Sequence, residues 1–296
     1  MDRSAKIKFP IPEGELMYSG HTACPGCGAA LALKYVLKGL GPRTIIVIPP
    51  SCVGVIGAGF PLSSLKIPVL RIPFESTAIT ASGIRAALDV MCKEDINVLA
   101  WAGDGGTFDI GLQALSGSAE RNDDIIYVCY DNEGYMNTGI QRSSSTPVGA
   151  WTTTTPAPHV KDTPKKDIVR IMAAHNIPYI ATASIGYPQD LIKKVRKAKA
   201  IKGTKFILIF SPCPTGWRYS PDLTISIAKL ATETGVFPLY EVDDGERYIL
   251  SSRKTEKPLR EYFNIQGRFR NLSEENFQSL EMRVTKEREY LKRMAG

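Results

Sequence analysis

Two oxygen-bearing side chains, Asp104 and Asn132, stand 28 positions apart, each where a short apolar run stops. The first run, Ile96 to Ala102 (INVLAWA), reads as a strand buried on both faces, and the glycine-rich Gly103-Asp104-Gly105-Gly106 after it reads as a tight turn. Gly103, Gly105 and Gly106 remove side chains where a ligand must approach the backbone. Phe108, Leu112, Leu115 and Ala119 then recur at helical spacing, which predicts a helix from Thr107 to Arg121 whose free N–H groups face the turn. An anion belongs at such an end. The second run, Ile125 to Tyr130 (IIYVCY), ends in Asp131-Asn132-Glu133-Gly134 and carries an amide oxygen and carbonyls to the carboxyl edge of the sheet, where open α/β sheets bind ligands. Magnesium takes about six hard oxygen ligands, some from protein and the rest from phosphate and water. Asp104, Asn132 and the Gly134 carbonyl would supply three of them, as a magnesium diphosphate requires.

Sulfur forms a second constellation. Cys24 and Cys27 lie in a Cys-Pro-Gly-Cys turn before a helix, Cys52 follows Pro49-Pro50-Ser51 at a strand end, and Cys213 sits in Ser211-Pro212-Cys213-Pro214 at another. All four can occupy loop tips on one side of the sheet. Cys92, within an apolar helix, and Cys129, within a strand, read as ordinary buried thiols. Disulfides do not suit a cytoplasmic chain. A CxxC with two distant partners suits tetrahedral zinc as well as iron. The spacing is not that of a compact ferredoxin, and the chain holds at most one cluster.

The elements that must position these residues alternate along the chain. A helix over Ala29 to Leu40 precedes a strand Thr44 to Ile48; a strand Val69 to Ile72 precedes a helix Ala78 to Cys92. After the two runs above comes a polar loop, Asn137 to Thr163, of a length that is usually functional. Helix Lys165 to His175, strand Tyr179 to Ala183, helix Pro188 to Lys199 and strand Lys205 to Phe210 follow. This order predicts an α/β fold with a mostly parallel sheet covered on both faces. Residues 1–20 read as an extended arm. The rhythm is lost past Gly216, where a hairpin-like segment, Leu239 to Leu250, and an amphipathic helix from Ser273 are expected. We therefore divide the chain into a cofactor-binding α/β domain, 1–215, and a C-terminal extension, 216–296, for which contact with other subunits is the expectation.

With 296 residues, 43% hydrophobic and 23% charged, the composition is that of a globular protein. No apolar run reaches the roughly 18 residues of a membrane span, and the start, MDRSAKIKFP, has no signal-peptide core, so a cytoplasmic location without membrane contact is expected. The net charge of +7 is concentrated in part on Lys193, Lys194, Arg196, Lys197 and Lys199. Aromatic residues are not interleaved among them, so a solvated helix face or a docking surface for acidic partners fits better than nucleic acid.

The Gly-Asp-Gly turn with Asn132 after a second strand resembles the thiamine diphosphate motif. Five stretches in order, HTACPGCGAALALKYVL (21–37), PSCVGVIGAG (50–59), GDGGTFDIGLQAL (103–115), YDNEGYMNTGIQRSSSTPVGAWTTTTP (130–156) and SPCPTGWRYSP (211–221), resemble the beta subunits of the 2-oxoacid:ferredoxin oxidoreductases, of the pyruvate synthase kind. The resemblance covers residues 16–221. It implies a thiamine diphosphate-binding fold and oxidative decarboxylation of pyruvate with coenzyme A to acetyl-CoA and CO2, with electrons to ferredoxin, or the reverse synthesis, in anaerobic metabolism. It further implies magnesium held by Asp104, Asn132 and Gly134, one 4Fe-4S cluster held by Cys24, Cys27, Cys52 and Cys213, and Asn137 near the substrate. Alpha, gamma and delta-type subunits complete such an enzyme, and the glutamate that activates thiamine lies on the alpha subunit, so this chain is expected to be inactive alone. Where some relatives carry a cofactor-touching Glu two residues after the second cluster cysteine, this chain has Ala29. Other 2-oxo acids (2-oxobutyrate, branched-chain, 2-oxoglutarate, oxalate) remain open, as does a non-redox thiamine enzyme with structural zinc.

Overall fold

A computed structural model describes residues 11–57, 62–251 and 257–296. The first ten residues of the expected arm, and Ala58 and Gly59 of one quoted motif, lie outside the described residues. In chain order the elements are α1 (Gly28–Leu40), β1 (Thr44–Ile48), α2 (Cys52–Ile56), β2 (Val69–Arg71), α3 (Thr77–Val90), β3 (Asn97–Gly103), α4 (Leu112–Glu120), β4 (Ile126–Asp131) and α5 (Ile168–Ala173). They continue as β5 (Tyr179–Ser184), α6 (Pro188–Ala200), β6 (Lys205–Phe210), α7 (Pro214–Trp217), α8 (Thr224–Glu233), β7 (Tyr240–Asp243), β8 (Arg247–Leu250), α9 (Leu259–Asn264) and α10 (Glu274–Met294).

The strands form one sheet in the order β2-β1-β3-β4-β6-β5-β7-β8. The six strands from β1 to β6 run parallel; β7 pairs antiparallel with β5, and β8 antiparallel with β7. Side chains alternate along each strand, so both faces are apolar. Val128 and Tyr130 join α1 and α6 in one buried layer, while Tyr127 and Cys129 join α3, α4, α5 and the C-terminal helices in the other. The consequence for function is positional. β1, β3, β4 and β6 are neighbours, and their carboxyl ends deliver Cys52, Asp104, Asn132 and Cys213 to one edge of the sheet.

Residues beyond 216 supply β7 and β8 to the same sheet. Ser273 caps α10, its hydroxyl accepting from the Asn276 N–H at 3.1 Å.

The structure corrects four expectations. No α-helix begins at Thr107: Gly105–Asp109 form a wide π-helical turn, and α4 starts only at Leu112. Gly111 is packed so closely on the Gly106 carbonyl that a Cβ would lie 2.1 Å from it, which closes the wide turn. The helix expected from Lys165 begins at Ile168, capped by Asp167, because Lys165 and Lys166 are drawn off into polar contacts described below. Cys92 is exposed, not buried, since α3 ends at Val90 and Cys92 turns the chain with φ +54°. The basic side chains of α6 are also not a free stripe. Lys194 is buried and paired with Asp190, and Lys197 reaches Glu241 and Asp243, each at 2.9 Å.

Candidate active site

β3 ends at Gly103, and Asp104 opens the π-helical turn with its carboxylate fully buried. Wide turns of this kind gather at functional sites because they splay the local backbone. Asp104 Oδ2 accepts from Ser143 Oγ at 2.5 Å. On the next strand, the amide terminus of Asn132 faces Asp104 Oδ1 and the Gly134 carbonyl oxygen at 2.9 Å each, with its own oxygen turned toward both. Three oxygens pointing at one another repel unless a cation stands between them, and turned over the amide would instead donate to both. Adjacent ligands of an octahedral magnesium at its usual distance are about 3 Å apart. The donors therefore fit a hard divalent cation. Burial, and then the charge of Asp131, push the Asp104 carboxyl well above the usual carboxylate range, against the Ser143 hydrogen bond, Lys165 and a backbone N–H. A cation would supply the missing countercharge.

Beside this trio lies a cavity of about 240 Å³ lined by Phe74, Asp104, Gly105, Gly106, Tyr135 and Asn137 among others. Gly105 is required there, since a Cβ would come within 2.4 Å of the Tyr135 ring. Tyr135 is held by donating to Asp109 Oδ2 at 2.8 Å. Asp104 is the only carboxylate among the described residues lining that cavity.

The four cysteines line one neighbouring cavity of about 200 Å³. Cys27 is the residue before α1, Cys52 the first residue of α2, and Cys213 the residue before α7, where its sulfur accepts from the Gly216 N–H at 3.3 Å. Helix N–H groups thus meet two of the sulfurs, those of Cys27 and Cys213, which favours negative charge on them. Burial works the other way, raising Cys27, pushing Cys52 up to about 12 and Cys213 up to about 11. Without a metal these thiols keep their protons. Among the described residues no group of three or more His, Cys, Asp or Glu is placed to hold a single metal ion. The four cysteines nonetheless line one common cavity. Gly26 makes the Cys-Pro-Gly-Cys turn possible, with φ +69° and the Pro221 carbonyl 2.4 Å from where a Cβ would stand.

The two cavities share Cys52, Asn132, Met136 and Asn137. Asn137 is exposed in that common wall, and buried Ala29 lines the sulfur side.

Sequence reasoning missed the polar residues behind the oxygen trio. Ser145 Oγ donates to Asp131 Oδ1 at 2.6 Å, and Lys165 donates to Asp131 Oδ2 at 2.5 Å and Glu133 Oε1 at 3.2 Å. Lys166 donates to the Phe108 carbonyl. Burial would raise Glu133, but Lys165 and Arg268 hold it below the usual range, and so charged. The available signal was the Ser143-Ser144-Ser145 run and the Lys165-Lys166 pair at the end of the polar loop.

Residues 74–209 match the family model for the thiamine pyrophosphate enzyme, C-terminal TPP binding domain. The chain is 49% identical over 300 residues to the ketoisovalerate oxidoreductase subunit VorB of Pyrococcus furiosus, an alignment covering 98% of this chain and 96% of that one. It is 50% identical over 270 residues to the pyruvate synthase subunit PorB of Methanothermobacter thermautotrophicus, covering 90% and 93%. Its fold is similar to a solved 2-oxoglutarate:ferredoxin oxidoreductase from Magnetococcus marinus with 2-oxoglutarate, coenzyme A and succinyl-CoA bound, at TM-score 0.60 and 21% identity over 76% of this chain and 82% of that one.

Proposed function

The chain belongs to the beta subunits of the 2-oxoacid:ferredoxin oxidoreductases, a thiamine diphosphate family, and from that premise we propose that it forms half of a pyruvate-oxidising active site. Asp104, Asn132 and the Gly134 carbonyl hold magnesium and through it the cofactor diphosphate, and Cys24, Cys27, Cys52 and Cys213 hold one 4Fe-4S cluster. When bound, thiamine diphosphate supplies the carbanion chemistry that decarboxylates a 2-oxo acid, and the cluster accepts its electrons singly. The observation carrying this reading is the shared wall: the Asn132 amide within 2.9 Å of both Asp104 and the Gly134 carbonyl on one side, and a cavity lined by all four cysteines on the other.

Asn137, in that wall, orients the substrate. Asp104 being the only carboxylate among the described cavity-lining residues, the acid that activates the cofactor comes from an alpha-type subunit. With Cys92 exposed and Cys129 buried elsewhere, gamma and delta-type subunits carry the electrons onward to ferredoxin, and coenzyme A receives the acyl group. Such a complex works in the cytoplasm.

The second reading keeps the chemistry and changes the acid to 2-oxoisovalerate, because the ketoisovalerate relative matches over more of this chain than the pyruvate relative does. Each extra carbon in a hydrophobic pocket is worth about 1–3 kcal/mol, so the two substrates should differ clearly. The test is anaerobic purification of the whole complex, followed by kcat/KM on a panel of 2-oxo acids. A brown protein with about four irons in this chain and highest kcat/KM on pyruvate is expected. Highest kcat/KM on 2-oxoisovalerate selects the second reading, and a colourless chain with one zinc rejects both.

A further inference from the structure

Glu133 lies between two of the oxygen donors and is constrained in both backbone and side chain. Its φ is +61°, a left-handed conformation that a glutamate adopts only when its surroundings impose it. Those surroundings grip it at four points. Its N–H donates to Asp131 Oδ1 at 3.1 Å, and its carbonyl accepts from Thr146 Oγ1 at 2.8 Å. Its carboxylate accepts from Lys165 through Oε1 at 3.2 Å and from Arg268 through Oε2 at 2.6 Å.

The Arg268 grip comes from 135 positions away, and its origin is itself over-determined. Arg268 is 2% exposed. Its Nε donates to Gln266 Oε1 at 2.9 Å, and its guanidinium lies 3.7 Å from the centre of the Trp217 ring. Trp217 in turn donates from Nε1 to the Asn132 carbonyl at 2.8 Å. The segment after residue 216 thus holds the oxygen loop twice, through the side chain of Glu133 and through the backbone of Asn132. A left-handed residue at this point reverses the local chain direction, which is how the Asn132 side chain and the Gly134 carbonyl come to face the same spot.

We propose that Arg268 is a positioning residue: acting through Glu133, it holds the Asn132–Gly134 turn in its cation-binding shape, so that the C-terminal segment sets the affinity for magnesium diphosphate. This rests on the reading of Asp104, Asn132 and Gly134 as the magnesium site. Arg268 touches neither substrate nor cofactor. Its planar fork both pairs with Glu133 and stacks on Trp217, which a lysine would reproduce only in charge.

The test uses the whole complex, stripped of cofactor with a chelator and titrated with magnesium in the presence of thiamine diphosphate. Binding is read by calorimetry and by tryptophan fluorescence, because Trp217 abuts the turn. For Arg268→Met the apparent magnesium affinity should fall at least tenfold, with iron content and subunit composition unchanged; Arg268→Lys should recover part of the loss. Glu133→Gln should weaken magnesium similarly, and the double variant should be no worse than the weaker single variant, since both act through one contact. If Arg268→Met fails to assemble, Arg268→Lys and Glu133→Gln carry the same expectation. Parental magnesium affinity in an assembled Arg268 variant, or fully additive losses in the double variant, would overturn the proposal. Failure of the parental complex itself to bind thiamine diphosphate in a magnesium-dependent way would instead overturn the reading beneath it.

Discussion

At the ends of β3 and β4, Asp104 and Asn132 are buried and wired to Ser143 and Trp217, and behind them stand the ion pairs of Lys165, Glu133 and Arg268. At the ends of β1 and β6, by contrast, Cys52 and Cys213 are part-exposed, with helix N–H groups on the Cys213 sulfur and the other cysteines near both. A buried carboxylate costs several kcal/mol unless its neighbours are already in place, so the fold builds the support of the oxygen site in advance, holding Glu133 charged with Lys165 and Arg268, and leaves only Asp104 to await its countercharge. A thiol is a small, nearly apolar group that tolerates partial burial while protonated. Only metal makes it a charged ligand, so the sulfur site can wait for its cluster.

If the two sites are separate constructions, substitutions should damage one and spare the other. The largest effect is expected from Asp104→Ala, which removes the one charged ligand: magnesium-dependent cofactor binding should vanish and turnover of the complex fall at least about 10³-fold, while iron content stays level. Equal loss of iron would erase the distinction. Next, Cys213→Ser should deplete iron and lower electron transfer to an acceptor dye by about 10²-fold, with calorimetric cofactor affinity within about twofold of the parent.

Glycine substitutions should sort in the same way with smaller effects. Gly105→Ala, which collides with the Tyr135 ring, should weaken cofactor binding by about tenfold, whereas Gly26→Ala, strained by φ +69°, should cost about 1–3 kcal/mol in the cysteine turn and appear as cluster loss. Iron loss from Gly105→Ala would count against the separation.

The smallest effect concerns the support of the oxygen site. Lys161, 2% exposed and donating to the Thr146 carbonyl at 2.5 Å, is pulled down to about 8, by burial first and then by the charges of Arg142 and Lys165. Because the folded value lies below the ordinary one near 10.5, the unfolded chain binds more protons between those values, and stability should rise with pH across that window. Relative to Lys161→Met, the parent should gain about 1–3 kcal/mol between about pH 7 and about pH 10 in urea unfolding. A constant difference between the two proteins would show that burial leaves Lys161 unshifted.

Buried strands were legible because a strand covered on both faces is a continuous apolar run, as INVLAWA and IIYVCY are. The helix start after the glycines was not, because the wide turn over Gly105–Asp109 depends on Gly111 packing on the Gly106 carbonyl, a contact that no periodicity encodes. Lys165 and Lys166 looked like the first turn of a helix. Their partners Asp131, Glu133 and the Phe108 carbonyl lie 32 to 58 positions away, so nothing local distinguished an ion-pairing lysine from a solvated one.

The sequence alone determined which donor atoms exist and that they follow strand ends: Asp104, Asn132, Cys52 and Cys213 each stand beyond an apolar run, and local turn chemistry puts them there. Only the tertiary structure decided that the strands bearing them are neighbours, that Asn132 and the Gly134 carbonyl turn toward Asp104, and that Arg268 closes behind them. The reason is physical. Secondary structure follows from contacts a few residues long, whereas the desolvation of a buried charge is offset by whichever partner the folded chain brings near, at any distance along it.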